Sequence, residues 1–162
     1  MNRRAAHTNA WETAETIFGI PFLLSLILGY LIPLPLSVLL PRAASVSVGI
    51  ILLVIGSAII VMTRRHFSQA GQPTNPGIPT TQLITTGIFS WSRNPLYLGG
   101  VVAVIGLGAL LNSLWLLILL VPTIAAVHFI LIVPEEQYLE AKFGEPYHQY
   151  VRSVRRWVGR HR

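Results

Sequence analysis

The chain has 162 residues, 52% of them hydrophobic and only 11% charged, against about 25% charged in soluble domains. That balance excludes an ordinary soluble globular domain and points to an all-α integral membrane protein, one domain at this length. The formal charge of +6 reads as membrane topology, because the basic residues cluster between uncharged runs, and nucleic acid is set aside as a partner.

The first element is an uncharged run over residues 16–41, preceded by Glu12 and Glu15. It is longer than the apolar core of a cleaved signal peptide and its flank is acidic, so it reads as a retained anchor. A span is expected over residues 17–32, reaching 40 at most, with Pro21, Pro33 and Pro35 to bend or end it. The second run, 43–63, predicts a span over 43–61, so residues 17–63 hold two N-terminal spans. A loop over residues 64–94 follows. Within it GQPTNPGIP, residues 71–79, is turn-rich and the nearest stretch to a linker.

That loop ends in TTGIFSWSRNPLYLGG, residues 85–100. Asn94-Pro95 suits a helix start, since Asn is a favoured N-cap and Pro fits the first helical position. Bare N–H groups and the helix dipole there favour a carboxylate or phosphate, and Arg93 adds a fork of donors. Gly99, Ala103 and Gly106 share one face at spacings of four and three, which lets membrane helices approach closely. The plainer reading is a capped helix with an arginine snorkelling to the interface.

Residues 94–134 carry no formal charge. As one helix they would be about 60 Å long, twice the hydrocarbon thickness of a bilayer. Asn112-Ser113, near the middle, suits a tight turn, so residues 95–133 are expected to form a helical hairpin with arms of 95–111 and 114–133. The fold is then about four transmembrane helices. Eleven of the twelve basic residues fall on one side, with only Arg42 opposite, which places both termini in the cytoplasm. His128 is expected to make an interhelical hydrogen bond.

Residues 134–162 form a cytosolic, amphipathic C-terminal segment. Glu135 and Glu136 stand where the last span leaves the membrane, near the depth of Arg93. Adjacent carboxylates at an apolar boundary call for cations or donors; the plainer reading is the acidic first turn of a solvated helix. Leu139 and Phe143 continue an apolar stripe, and Gly144-Glu145-Pro146 breaks the helix. Tyr147, Tyr150, Val151 and Val154 outline a second amphipathic piece, whose Arg152, Arg155 and Arg156 would rest against anionic headgroups.

The absence of cysteine removes disulfides, thiolate nucleophiles, iron–sulfur ligation and thiol-based zinc sites. There is no aspartate, and none of the five histidines pairs with a carboxylate at metal-binding spacing. No metal site is expected, and no phosphate-binding glycine loop occurs.

Two motifs carry a resemblance. Gly87, Phe89, Arg93, Asn94, Pro95, Tyr97 and Gly99, in the order Gly-x-Phe-x-x-x-Arg-Asn-Pro-x-Tyr-x-Gly, resemble the signature of the isoprenylcysteine carboxyl methyltransferases and related phospholipid methyltransferases. Glu135, Glu136, Leu139, Phe143, Gly144, Tyr147 and Tyr150 are similar to that family's second signature. The resemblance covers roughly residues 87–157. It implies an integral membrane methyltransferase that uses S-adenosylmethionine, with a lipophilic or amphiphilic acceptor entering from the bilayer. It also implies cofactor contacts from Thr86, Gly87, Ile88, Phe89, Asn94, Pro95, Tyr97, Glu135, Glu136 and Tyr147. Arg93 matches a residue tied to catalysis or substrate positioning. The family more often has His where this chain has Asn94, and Asn does not titrate, so no proton transfer can rest there.

The residues suit that chemistry. A carboxylate or thiolate acceptor needs no base, and Arg93 could orient it; a neutral amine needs one, and a glutamate such as Glu135 is the nearby candidate. The alternatives are a sterol-reductase-like enzyme using NADPH, which shares an Arg-His-Pro-x-Tyr element, and a non-catalytic membrane subunit or transporter. The short chain weighs against the first. Spans free of buried charge weigh against transport.

Overall fold

The computed structural model describes residues 12–71 and 80–161. The turn-rich stretch expected at 71–79 lies, apart from Gly71, outside the described residues, as do Arg3, Arg4 and Arg162. Helix α1, Ala14–Leu31, is capped by Thr13, whose hydroxyl accepts from the Thr16 N–H at 3.2 Å. Pro21 sits within it without ending it. The end comes at Ile32, held at φ −134° and ψ 84°, because the ring of Pro33 pushes its predecessor out of the helical region. The helix therefore does not reach residue 40.

Helix α2, Arg42–Gln69, starts after Pro41 and runs on past the end expected at 61. At 28 residues it is about 42 Å long, more than a bilayer's hydrocarbon. Helix α3 is Pro95–Leu110 and α4 is Leu114–Ala126. A π-helical stretch, Val127–Ile132, carries α4 without a break into α5, Val133–Phe143. Gly144, at φ +58°, ends that rod, and α6 follows over Glu145–Ser153.

The protein is thus an all-α membrane protein. Among the described residues three helices are long and apolar enough to cross a membrane, Ala14–Leu31, Arg42–Gln69 and the continuous Leu114–Phe143, and the apolar α3 is shorter. The hairpin turn falls where the sequence places it. Asn112 takes the left-handed conformation, φ +55°, which Asn tolerates better than most residues. Its side chain accepts from the Ser37 N–H at 2.8 Å and donates to the Ser37 hydroxyl at 3.2 Å. Ser113 caps α4 by accepting from the Leu116 N–H. Arg42 donates to the carbonyls of Ala109 (3.0 Å) and Leu110 (2.7 Å), so it satisfies two of the orphan acceptors at the end of α3.

The tightest pairing is α2 with α3, not the two arms of the hairpin. Gly49 and Gly56 of α2 face Gly99, Ala103 and Gly106 of α3 almost backbone to backbone. Helix α1 leans instead on α4 and on the π-helical stretch, where Ile17 joins Val127, Leu131 and Ile132 in a buried cluster flanked by Phe18, Tyr97 and Trp157. A second cluster, Phe89, Tyr147, Tyr150 and Val154, covers the opposite end from the hairpin turn. There α5, α6 and the loop before α3 converge.

A side chain at Gly56 would place its Cβ 2.5 Å from the Ala103 nitrogen and 2.7 Å from the Gly99 carbonyl oxygen, both backbone atoms that cannot step aside. Gly56→Val should therefore destabilise the protein by about 2–3 kcal/mol. Gly29, with nothing within 4 Å, is the control, and Gly29→Ala should be neutral or slightly stabilising. Unfolding midpoints in one detergent check this; equal midpoints would mean that the close approach of α2 and α3 is not needed.

Candidate active site

Three segments meet at the end opposite the hairpin turn: residues 86–94, the first turn of α5, and the chain after α6. Helix α5 delivers two adjacent carboxylates, and they take different partners. Glu136 lies between two guanidiniums. Arg93 reaches its Oε1 at 3.2 Å. Arg156 donates from Nε to both oxygens at 3.1 Å and from Nη2 to Oε2 at 2.6 Å. This fork is the strong form of the ion pair, and it pushes the pKa of Arg156 upward. Glu135 receives instead the hydroxyl of Tyr97, which donates to its Oε2 at 3.3 Å.

Arg93 is only 10% exposed. Its Nε is buried with no hydrogen-bond partner, a donor that ordinarily costs about 1–3 kcal/mol to leave unmet. Such an orphan inside a cluster of charges marks a place where a ligand atom would be welcome.

The loop that carries Arg93 is fixed on both sides. A short 3₁₀ turn, Gly87–Ser90, opens with Gly87 at φ +61°. A Cβ there would lie 1.9 Å from Nε2 of His66, so both conformation and space require glycine. Phe89 is buried against Tyr147 and Tyr150, and Tyr150 donates its hydroxyl to the Phe89 carbonyl at 2.7 Å. Burial pushes the Tyr147 and Tyr150 hydroxyls above the usual phenol range, so both remain neutral donors.

Of the residues singled out by sequence, Arg93, Glu135, Glu136 and Tyr97 come together directly. Gly87, Ile88 and Phe89 form the adjoining turn, with Thr86 exposed just before it. Tyr147 is buried beneath the turn. Pro95 takes the first position of α3 as expected. Asn94 does not cap that helix with its side chain; its Nδ2 donates to the Arg156 carbonyl at 3.2 Å. Arg156 was expected to face lipid headgroups and instead holds Glu136, because the chain after α6 turns back and its Arg156 carbonyl is bound by Ser92 and Asn94, which sets the guanidinium beside the carboxylate. Sequence reasoning missed this role, since twenty residues, two helices and a glycine turn separate the partners. His128 meets Phe129 edge-on, 4.8 Å between centroids, in place of an interhelical hydrogen bond. Among the described residues no three His, Cys, Asp or Glu side chains gather to hold a metal ion.

The pattern of the phospholipid methyltransferase family matches residues 44–146, from the start of α2 into the first turn of α6. The chain belongs to the phospholipid methyltransferase family. The matched part of this family member includes Arg93, Glu135, Glu136 and the 3₁₀ turn, while Arg156 lies beyond it. Among curated proteins, the nickel-cobalt-cadmium resistance protein NccN of Alcaligenes xylosoxydans xylosoxydans is 36% identical over 69 residues. That match takes in 43% of this chain and 32% of NccN, so the chain covers about a third of that relative's length. No solved structure matches.

The two carboxylates should respond differently to neutralisation. Glu136→Gln leaves the guanidiniums of Arg93 and Arg156 facing each other without a counter-charge, and should lower unfolding stability by about 3 kcal/mol. Glu135→Gln keeps an acceptor for Tyr97 and should cost about 1 kcal/mol or less. Chemical unfolding of both variants in one detergent checks this, and equal losses would rule out the arginine clamp as the local anchor.

Proposed function

We propose that this methyltransferase-family protein moves a methyl group from S-adenosylmethionine to a lipid-like acceptor, at the cluster formed by Arg93, Tyr97, Glu135 and Glu136. The observation that carries the reading is the uneven commitment of these groups. Arg93 keeps a buried donor unspent, and Glu135 has a hydroxyl but no arginine on its carboxylate. A zwitterionic, sulfonium-bearing cofactor needs that pair: a cation for its carboxylate and a carboxylate for its cationic part. The residues present fit the group.

When bound, S-adenosylmethionine supplies a methyl group already activated by the sulfonium. The protein's tasks are then positioning and exclusion of water. Arg93 and Glu135 hold opposite charges in fixed places. The turn of Gly87, Ile88 and Phe89, with Thr86 before it and Asn94, Pro95 and Tyr147 around it, forms the wall. The cluster of Ile17, Val127, Leu131 and Ile132 lies on the apolar side of Tyr97 and keeps water out. An anionic acceptor needs no base. For a neutral amine Glu135 is the base, because both oxygens of Glu136 are already occupied by guanidiniums.

The test is binding and turnover in nanodiscs, with NADPH as the competing ligand. S-adenosylmethionine should bind and NADPH should not; the reverse would make the protein a reductase. Arg93→Lys keeps the charge but loses the planar fork. It should leave folding intact and lower methyl transfer by roughly ten- to a thousandfold, equivalent to about 1.4–4 kcal/mol. Full turnover in that variant would reduce Arg93 to an anchor.

The reading also places the site in the cytoplasm, where the cofactor is supplied, because the basic end holds Arg64, Arg65, Arg93, Lys142, Arg152, Arg155, Arg156 and Arg160 while Arg42 stands at the other. Reporter fusions at Arg42 and at the C-terminus should report opposite sides, with the C-terminus inside. A C-terminus outside would separate the site from its cofactor.

A further inference from the structure

The chain after α6 returns to the loop that carries Arg93. Val154 and Arg160 form an isolated antiparallel bridge, and the Arg155 N–H donates to the Gly159 carbonyl at 2.8 Å. Gly159 in turn donates to the Trp91 carbonyl at 2.7 Å, and the Arg93 N–H donates to the Arg155 carbonyl at 3.2 Å. Ser92 and Asn94 both donate side-chain bonds to the Arg156 carbonyl, at 3.5 and 3.2 Å. Three consecutive residues, Ser92, Arg93 and Asn94, are thus bound to the backbone at Arg155 and Arg156.

From that fixed backbone the Arg156 side chain turns onto Glu136. Its Nε–H is shared by both carboxylate oxygens and its Nη2 donates to Oε2, while Arg93 meets Oε1 as an ion pair at 3.2 Å. A carboxylate has about four lone-pair sites. Arg156 therefore leaves Arg93 a single contact. Were Arg156 absent, Glu136 would be free to accept a two-bond fork from Arg93, drawing its Nε–H into the pair.

We infer that Arg156 is a positioning residue: through Glu136 it keeps Arg93 singly bound, with its Nε–H held open for a ligand. The consequence for turnover rests on the methyl-transfer reading above; the coupling among the three side chains does not. Arg156 lies ten residues beyond the family match, which ends at 146.

The test uses the full chain in nanodiscs with Arg156→Lys, which keeps the charge but cannot fork. Arg152→Lys, at an exposed pair with Glu145, is the control. For Arg156→Lys the turnover number should fall about tenfold or more at saturating cofactor, while the unfolding midpoint stays near that of the parent; the control should match the parent in both. In the Glu136→Gln background Arg156→Lys should add less than about twofold, because residues acting through one another are not additive. Full turnover in Arg156→Lys, or effects that multiply in the double variant, would overturn the inference. So would a loss of stability in proportion to rate, the mark of a purely structural latch. A further measurement needs no turnover. With ¹⁵N-arginine labelling, the Arg93 Nε–H resonance should shift in Arg156→Lys as it gains Glu136 as partner. An unchanged resonance refutes the coupling even if the protein transfers no methyl group.

Discussion

A carboxylate buried at the end of an apolar bundle is tolerable only if its charge is matched on the spot, and Glu136 meets that condition with two arginines from different parts of the chain. Arg93 comes from the loop before α3, and Arg156 from the strand-like return after α6. Removing a partner from such a group leaves an uncompensated charge, which is far costlier than never having built the pair. The three residues therefore define one another's positions. They also bring the two sequence motifs together: the turn at Gly87–Ser90 is pinned by Tyr150, and Tyr97 reaches Glu135 from the first turn of α3. The cluster is closed on the Glu136 side and open at Arg93 Nε and Glu135.

The membrane part supports this cluster unevenly. Helices α2 and α3 are locked by glycines whose Cβ positions are occupied by the partner's backbone. Without a hydrophobic drive between helices in lipid, such close approach is the main source of their association. The rigid pair carries Arg93 and Tyr97 at one end and receives Arg42 at the other. Helix α1 has no such interface; its Gly19 and Gly29 meet nothing within 4 Å. It is held at its start by Ile17 and Phe18, in its middle by the buried Ser25 and at its end by Trp115, which donates to the Ile32 carbonyl at 2.8 Å; the exposed Glu15–Arg64 pair is worth little alone.

Much of the scaffold was legible because backbone desolvation leaves few choices in lipid. The uncharged runs had to be helices, the first had to bend or end at one of Pro21, Pro33 and Pro35, and Asn112-Ser113 suited a tight turn. The small-residue face of Gly99, Ala103 and Gly106 was legible too, though not its partner. The extension of α2 through Arg64, Arg65 and His66 was not, because a helix leaving the membrane can continue in polar residues at no cost in pattern. At the site, the need of Glu135 and Glu136 for donors could be read from their adjacency. The identity of the donors could not. Arg156 looks like any residue of a basic tail until the fold returns it to Glu136, and Asn94 looks like a helix cap until its amide is seen bonded to the Arg156 carbonyl.

The π-helical stretch between α4 and α5 has a geometric effect on all this. An α-helix turns about 100° per residue, and a π-helical segment accommodates residues that a regular winding would place elsewhere around the axis. Val127–Ile132 therefore acts as a phase adjuster within a single rod. The lipid-facing length, α4, keeps the azimuth demanded by α1 and α3, while α5 is rotated independently of it. One continuous helix can in this way satisfy two angular requirements at once: an apolar stripe aimed at its neighbours in the bilayer, and a carboxylate pair dialled toward Arg93 and Tyr97 beyond it.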